Sequence, residues 1–188
     1  MLAHTCLEMP IGFLQLVANN RGLIEVALIK ERTAPTRYCS TTAATEILST
    51  ARGQLLEYFR GSLRSFSVPL SPVGSPFQMS VWRALYRVPF GQTITYAALA
   101  ARAGNTAAAR AVGQAVNVNP LAIVVPCHRV VAAQGLGGFA WGPEKKRWLL
   151  EHESAMLDQS GQGDNLHAVR STDRALSSIS FHGRLPHL

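Results

Sequence analysis

The sequence predicts a two-domain protein of the α+β class, in which a small N-terminal domain precedes a mainly helical one. Two apolar runs around turn-forming residues, at 11–17 and 22–29, indicate a β-hairpin. An amphipathic stretch at 43–59 adds a helix. A segment rich in proline, glycine and serine at 71–76 indicates a linker, and mostly helical patterns follow it. We therefore expect domains at residues 1–70 and 77–157, joined by a linker at 71–76.

Composition places the chain among globular proteins. Of its 188 residues, 47% are hydrophobic and 15% are charged, which is enough to form real cores and excludes a disordered chain. No apolar run is long enough to span a bilayer, and the N-terminus lacks the pattern of a signal peptide. We expect a cytoplasmic protein with no membrane partner.

The cysteines and the net charge indicate which classes of function the chain is suited to. Three widely spaced cysteines argue against a disulfide framework, and no metal site is expected. The net charge of +7 suits a polyanionic partner such as DNA. The alternative is a basic protein without such a partner.

The N-terminal elements follow from local patterns. Turn-forming residues at 19–22 close the hairpin, and the polar residues 31–42 indicate a loop. The helix at 43–59 stops at Gly61, and alternation at 65–70 predicts a third strand. The apolar stripe of this helix consists of Ile47, Leu48, Ala51, Leu55, Tyr58 and Phe59. No residue set in this domain indicates chemistry.

The second domain is predicted to open with a core helix and a helix pair. Met79, Trp82 and Tyr86 share one face of a helix at 77–88, as core residues do. A helix at 95–103, which Thr95 can cap, and another at 106–116 flank Gly104. Two short helices around such a turn outline a helix-turn-helix, although a plain αα-hairpin gives the same outline.

The helix at 106–116 carries an unusual polar face. Arg110, Gly113, Gln114 and Asn117 recur at helical spacing, so one long cation lies among small side chains, while Ala108, Ala111, Val112 and Ala115 can face the core. A helix this slim can approach DNA closely. Alternatively, its small residues merely permit tight helix packing.

The residues with clear reactive potential are Cys127 and His128. Residues 123–125 are predicted to form a buried strand that Pro126 ends, which leaves the two side chains at a rigid strand end. A thiol becomes a good nucleophile beside a base or a positive charge. The alternative is an inert, buried cysteine.

The chain is expected to end with a loop, a helix and a tail. The glycine-rich segment at 134–143 suits a loop that closes a pocket with Phe139 and Trp141, or a β-turn with two packing aromatic residues. A helix is predicted at 144–153. Residues 158–188 lack periodicity and predict a poorly ordered tail whose histidines are solvated.

Residues 75–153 closely resemble the alkyltransferase domain of the O6-alkylguanine-DNA alkyltransferases, the methylated-DNA–protein-cysteine methyltransferases. The most specific motif is Pro-Cys-His-Arg-Val at 126–130. The others are Ser-Pro-Phe-Gln at 75–78, Val-Trp at 81–82, Pro-Phe-Gly at 89–91, Thr-Tyr at 95–96, Gly-Asn at 104–105, Ala-Ala-Arg-Ala-Val-Gly at 108–113, Asn-Pro at 119–120, Trp-Leu-Leu at 148–150 and His-Glu at 152–153. The N-terminal part is similar more loosely, through Pro-Ile-Gly at 10–12 and Arg-Gly-Leu at 21–23.

The resemblance implies both a fold and a function. The N-terminal domain would be ribonuclease-H-like, and the second would be a winged-helix-like domain with a helix-turn-helix. The activity would be single-turnover repair of double-stranded DNA, in which an alkyl group passes from O6-alkylguanine, and from O4-alkylthymine, to a cysteine. No cofactor is implied, and the acting form would be a monomer.

The resemblance also implies roles for individual residues. Cys127 would accept the alkyl group, His128 would take the thiol proton through a water, and Glu153 would orient His128. Tyr96 would lie over the base and help to rotate and protonate it, while Arg110 would replace the extruded base. Further DNA contacts would come from Asn105, Ala109, Ala111, Gly113 and Gln114, and support for the active site from Asn119, Arg129, Val130, Phe139 and Ala140.

The loop departs from the family pattern. Family members usually carry tyrosine where this chain has Phe139, and Ala140 follows it. A hydroxyl contact to the substrate would be missing, which bears on substrate range more than on activity.

The proposed residues also suit the reaction on chemical grounds. An unperturbed cysteine titrates near ~8.5, so we expect pairing with His128, aligned by Glu153, to raise the thiolate fraction. Because O6 lies within the base stack, the nucleotide must be flipped out. Two alternatives are a lesion-binding protein that does not react and a cysteine hydrolase. The presence of Cys127 argues against the first, and the lack of an evident oxyanion hole argues against the second.

Overall fold

The computed structural model describes residues 2–31 and 41–160, with side chains described up to Asp158. Cys39 and nearly all of the predicted tail at 158–188 lie outside the described residues.

The N-terminal domain is built on an antiparallel sheet of three strands. Strands β1 (Ala3–Met9), β2 (Gly12–Ala18) and β3 (Leu23–Ile29) lie in that order. The predicted hairpin of β2 and β3 is present, and the Asn19 side chain accepts hydrogen bonds from the backbone at its turn. Strand β1 is an addition to the prediction. Its buried positions are interrupted by polar residues, so its alternation in the sequence is weak.

Helix α1 (Thr42–Phe59) packs its apolar stripe against this sheet. The Thr41 hydroxyl caps its first turn by accepting from the Ala44 N–H. The predicted strand at 65–70 is wrong. The Gln54 side-chain oxygen accepts from the Ser67 and Val68 N–H groups, which therefore join no ladder, and Leu70 alone bridges to β3.

The second domain opens with helix α2 (Pro76–Tyr86), which Ser75 and Gln78 cap reciprocally. Trp82 is buried, and its indole N–H donates to the Ala115 carbonyl at 2.8 Å. This bond connects α2 to the last turn of the helix at Ala109–Asn117, which is the second helix of the helix-turn-helix.

The helix-turn-helix consists of α3 (Tyr96–Arg102) and α4 (Ala109–Asn117). Thr95 caps α3 as predicted, and Gly104 takes a positive φ of 88° in the turn. Helix α4 begins three residues later than position 106, because the Asn105 side chain accepts from the Ala107 N–H and holds this stretch in a turn.

A short parallel pairing carries the chain towards the site. Strand β4 (Ile94–Thr95) lies beside β5 (Val130–Val131), which follows a 3₁₀ turn at Cys127–Arg129. The predicted strand at 123–125 is buried but is not extended. Ile123 has a φ of 73°, and the Val125 N–H turns back to the Leu121 carbonyl. The apolar run indicated burial correctly but not this reversal of the backbone.

Helix α5 (Pro143–Ser160) runs seven residues past its predicted end at position 153. The extension contacts the N-terminal domain, where Arg64 Nη2 donates to the Met156 carbonyl. Because this contact is long-range, the local apolar pattern did not indicate it. Among the residues that the structure describes, no helix has the length and apolar character of a membrane span.

Candidate active site

Cys127 begins the 3₁₀ turn and is only 5% exposed. Asn119, two residues after the end of α4, fixes the backbone that precedes Cys127. The Asn119 side chain donates to the Val125 carbonyl at 2.8 Å and accepts from the Leu121 N–H at 3.1 Å. Asn119 therefore connects the helix-turn-helix to the segment that carries the thiol.

The carboxylate of Glu153 is the most densely hydrogen-bonded group near the thiol. It is fully buried, as is the His128 ring beside it. Its two oxygens accept from His128 Nε2 at 2.8 Å, Tyr58 Oη at 2.8 Å, the Gly91 N–H at 2.9 Å and Arg129 Nη2 at 2.9 Å. Arg129 Nε adds bonds to both oxygens at 3.2 and 3.0 Å.

These donors set the charge of Glu153. Burial pushes the pKa of this carboxyl upward, but hydrogen bonds from His128 and Arg129 and the positive charge of the Arg129 guanidinium outweigh burial and hold the pKa well below its usual range. The carboxylate is therefore ionised at neutral pH. It accepts the proton on His128 Nε2, which leaves Nδ1 as the basic nitrogen.

His128 is suited to act as a base. Burial lowers the pKa of the imidazole below its ordinary value, and the contact with Glu153 only partly opposes this. The ring is therefore neutral at physiological pH. Within the described part of the chain, Nδ1 has no protein hydrogen-bond partner. A neutral ring with an open Nδ1 can accept a proton.

The thiol itself is protonated at rest. Burial raises the pKa of Cys127, and hydrogen bonds from Asn119 and the backbone offset this only in part. The expectation that pairing enriches the resting thiolate is therefore wrong. Burial in apolar surroundings penalises the charged sulfur more than the neighbouring groups stabilise it, so the proton must leave during the reaction.

Arg129 and Val130 connect the 3₁₀ turn to the residues that surround it. Arg129 Nη1 donates to the Val88 carbonyl at 2.6 Å, and its guanidinium lies over the Phe90 ring. Val130 is buried, and its carbonyl accepts from Lys146. Both residues thus hold the 3₁₀ turn in place.

Lys146 was not predicted from the sequence. It is fully buried on α5, and its Nζ donates to the Val130 carbonyl at 2.5 Å and to the Gly138 carbonyl at 2.9 Å. Burial lowers its pKa to about 8. The helical spacing of Lys146, Leu149 and Glu153 was the available signal, since it places all three on one face.

A pocket of about 330 Å³ opens between α4 and the glycine-rich loop. The lining residues are Tyr96, Arg110, Gly113, Gln114, Val116, Asn117, Gly138, Phe139 and Ala140. Cys127 is not among them and is buried. The structure thus brings the predicted polar face of α4 together with Tyr96 and the loop.

The loop is held against Tyr96. The Tyr96 hydroxyl donates to the Gly138 carbonyl at 3.4 Å, and the Phe139 and Trp141 rings meet edge to face. Gly137 has a φ of 72°, and a Cβ there would lie 3.3 Å from the Tyr96 ring. Burial raises the pKa of Tyr96, so its phenol remains a proton donor at neutral pH.

The remaining predicted DNA contacts differ in exposure. Asn105, Arg110 and Gln114 are exposed, while Ala109 and Gly113 are half-buried. Ala111 is exposed rather than core-facing, so one of the four predicted core positions of α4 belongs to its outer face. The other exposed residues of this helix are Ala111, Gln114 and Asn117, which carry no charge.

Within residues 2–31 and 41–160, no three histidine, cysteine, aspartate or glutamate side chains are grouped to hold a metal ion. The described site thus offers hydrogen-bonding and acid–base groups. A helix-turn-helix that lines a pocket, together with a buried cysteine next to the buried His128–Glu153 pair in the same domain, defines the class: a DNA-binding protein with a nucleophilic cysteine.

Comparison with known families specifies this class. Residues 76–155 match the DNA-binding domain of 6-O-methylguanine DNA methyltransferase, and residues 2–72 match its ribonuclease-like domain. The chain belongs to the 6-O-methylguanine DNA methyltransferase family.

Individual relatives agree over nearly their whole length. The methylated-DNA–protein-cysteine methyltransferase of Methanosarcina acetivorans is 43% identical over 153 residues, which cover 81% of this chain and 98% of the relative. The crystal structure of Mycobacterium tuberculosis O6-methylguanine methyltransferase is 39% identical, with a TM-score of 0.72, and the match covers 83% of this chain and 94% of that one. A structure of Mycobacterium tuberculosis OGT in complex with DNA is 40% identical, with a TM-score of 0.71 and coverage of 81% and 93%. The predicted family and two-domain fold are confirmed.

Lys146 predicts a specific dependence of stability on pH. Its pKa is about 8 in the folded protein against an ordinary value of 10.5, so the unfolded chain binds more protons between these values. Stability contributed by this group therefore rises with pH across that window. In urea denaturation, the free energy of unfolding of the wild type should gain more between about pH 7.5 and about pH 9.5 than that of Lys146→Met.

Lys145→Met is the matched control, because Lys145 is the neighbouring lysine and is not fully buried. It should keep the pH-dependent gain of the wild type. Equal gains in all three proteins would contradict the assignment of a depressed pKa to Lys146.

Proposed function

We propose that this chain repairs double-stranded DNA by transferring an alkyl group from O6-alkylguanine, and from O4-alkylthymine, to Cys127 in a single turnover. The observation that carries the proposal is the buried His128–Glu153 pair, which directly follows the buried Cys127 at its His128 end, in the same domain as the helix-turn-helix that lines the pocket. The relatives named above as methyltransferases support it.

The chemistry follows from the protonation states of the site. His128 Nδ1 accepts the thiol proton, through a bridging water, as the sulfur attacks the alkyl carbon. An S–C bond forms and the C–O6 bond breaks, so the electron pair of that bond stays with the base. Tyr96 donates a proton to the leaving base. His128 has gained one proton from the thiol, so the number of protons in the site and the substrate together is unchanged. Restored guanine and an S-alkyl cysteine are the products.

The reaction ends at the thioether. The S–C bond would have to be hydrolysed to restore the thiol, and His128 has no role left once the sulfur carries carbon instead of a proton. Each molecule is thus expected to act once. Cys127, His128 and Glu153 are all supplied by one chain, which supports a monomer as the acting form.

The pocket explains how the base reaches the thiol. Cys127 is buried, so a base within the duplex must rotate out of the stack to reach it, and the pocket between Tyr96 and the loop is the proposed entrance. Arg110 is exposed on the rim, among small side chains that let α4 approach DNA. In this proposal, the Arg110 side chain fills the gap that the flipped base leaves.

The loop residues bear on substrate range. Phe139 and Ala140 line the pocket with apolar groups, whereas the usual pattern includes a tyrosine hydroxyl. The Gly138 carbonyl and the backbone around it keep polar groups at the same wall. We expect recognition of the base to depend on this backbone more than on the loop side chains.

Intact-protein mass spectrometry tests the proposal. After incubation with a duplex that contains O6-methylguanine, the wild type should gain the mass of one methylene, located at Cys127, and the duplex should contain restored guanine. Cys127→Ala should gain nothing, whereas Cys6→Ala should react like the wild type. Restored guanine with an unmodified protein would contradict transfer, and bound lesion without repair would favour a lesion-binding protein.

The role of Arg110 gives a second prediction. Arg110→Ala should slow transfer from the duplex by roughly tenfold or more, because flipping a base costs a few kcal/mol that the side chain helps to offset. Transfer from a free O6-alkylguanine base should change much less. Arg52→Ala removes the same charge from an exposed site on α1 and should behave like the wild type in single-turnover assays. Equal slowing on the duplex and on the free base would contradict the flipping role.

A further inference from the structure

Tyr58 brings the N-terminal domain into contact with the reactive network. It lies near the end of α1, 95 residues before Glu153 in the chain, and is fully buried. Its hydroxyl donates to Glu153 Oε1 at 2.8 Å. Its ring is held by the surrounding aromatic rings of Phe59, Phe66, Phe90 and His152.

The oxygen that Tyr58 contacts is the one that aligns His128. Glu153 Oε1 lies 2.8 Å from Tyr58 Oη and 2.8 Å from His128 Nε2. Each donor on a carboxylate oxygen withdraws part of its negative charge, so the oxygen becomes a weaker acceptor for the others. Tyr58 and His128 therefore donate to the same oxygen, and each weakens the hydrogen bond of the other.

We propose that Tyr58 is a positioning residue for alkyl transfer. By donating to Glu153, Tyr58 weakens the hydrogen bond that this carboxylate accepts from His128, and so keeps His128 a neutral base at physiological pH. The inference rests on the function proposed above. It makes the N-terminal domain part of the reaction apparatus, because that domain supplies a hydrogen bond to the carboxylate.

The charged groups around the pair support this direction. Arg129 faces Glu153 from the 3₁₀ turn, and the positive charges of Arg129 and Lys146 also disfavour a charged His128. Burial, together with the negative charge of Glu153, raises the pKa of Tyr58 well above its ordinary value, so the phenol remains a donor. Without Tyr58, Arg129 still holds Glu153 ionised, while more of the negative charge is available to His128.

The pH dependence of transfer tests the inference. The single-turnover rate from a duplex containing O6-methylguanine is measured across the acid limb, where His128 becomes protonated. Tyr58→Phe keeps the ring and removes only the hydroxyl. His128 should then become more basic, and the midpoint of the acid limb should move upward by about 0.5 to 1 pH unit.

Tyr86→Phe is the matched control. The Tyr86 hydroxyl also reaches the N-terminal domain, where it donates its one O–H to the Phe66 carbonyl at 2.6 Å. Its acid limb should coincide with that of the wild type. A purely structural role for Tyr58 would change stability or the plateau rate without moving the midpoint, and this result would overturn the inference.

Fluorotyrosine at position 58 keeps the test open if Tyr58→Phe does not fold. A fluorinated phenol is a stronger donor of the same shape, so the acid limb should move downward, opposite to the shift in Tyr58→Phe. An unchanged midpoint would overturn the inference. Absence of transfer by the wild type at every pH would instead refute the proposed function.

Discussion

The buried carboxylate of Glu153 is the constraint on which the rest of the structure depends. An ion of this kind costs several kcal/mol to remove from water unless donors surround it closely. Here the donors come from the N-terminal helix through Tyr58, from the turn after α2 through Gly91, and from the 3₁₀ turn through His128 and Arg129. Placing one charge in the middle of α5 therefore requires both domains to meet around it.

This arrangement separates the buried reactive residues from the exposed face of α4, which we propose contacts DNA. His128 and Cys127 are buried and neutral at rest, so the thiol is protected until a substrate reaches it. The outer face of α4 carries Arg110 as its one charge, beside the exposed Ala111, Gln114 and Asn117. Asn119, which follows α4, donates to the Val125 carbonyl in the segment before Cys127. The helix and this segment therefore hold a fixed relative position.

Local patterns predicted the elements whose structure is determined locally. The apolar stripe of α1, the cap at Thr95 and the turn at Gly104 needed no distant partner. The Pro-Cys-His-Arg-Val motif identified the reactive residues through a family resemblance. The positive φ of Ile123 and the contacts of Tyr58 and Lys146 escaped prediction, because each depends on groups distant in the chain or on a backbone reversal that an apolar run conceals.

The most direct test of the account replaces the carboxylate itself. Glu153→Gln keeps the shape of the side chain but removes the charge that aligns His128. With folding verified by circular dichroism, the single-turnover rate of alkyl transfer should fall by about 100-fold or more, the contribution typical of a general base, while affinity for the lesion-containing duplex is retained. A rate close to that of the wild type would contradict the central role of Glu153.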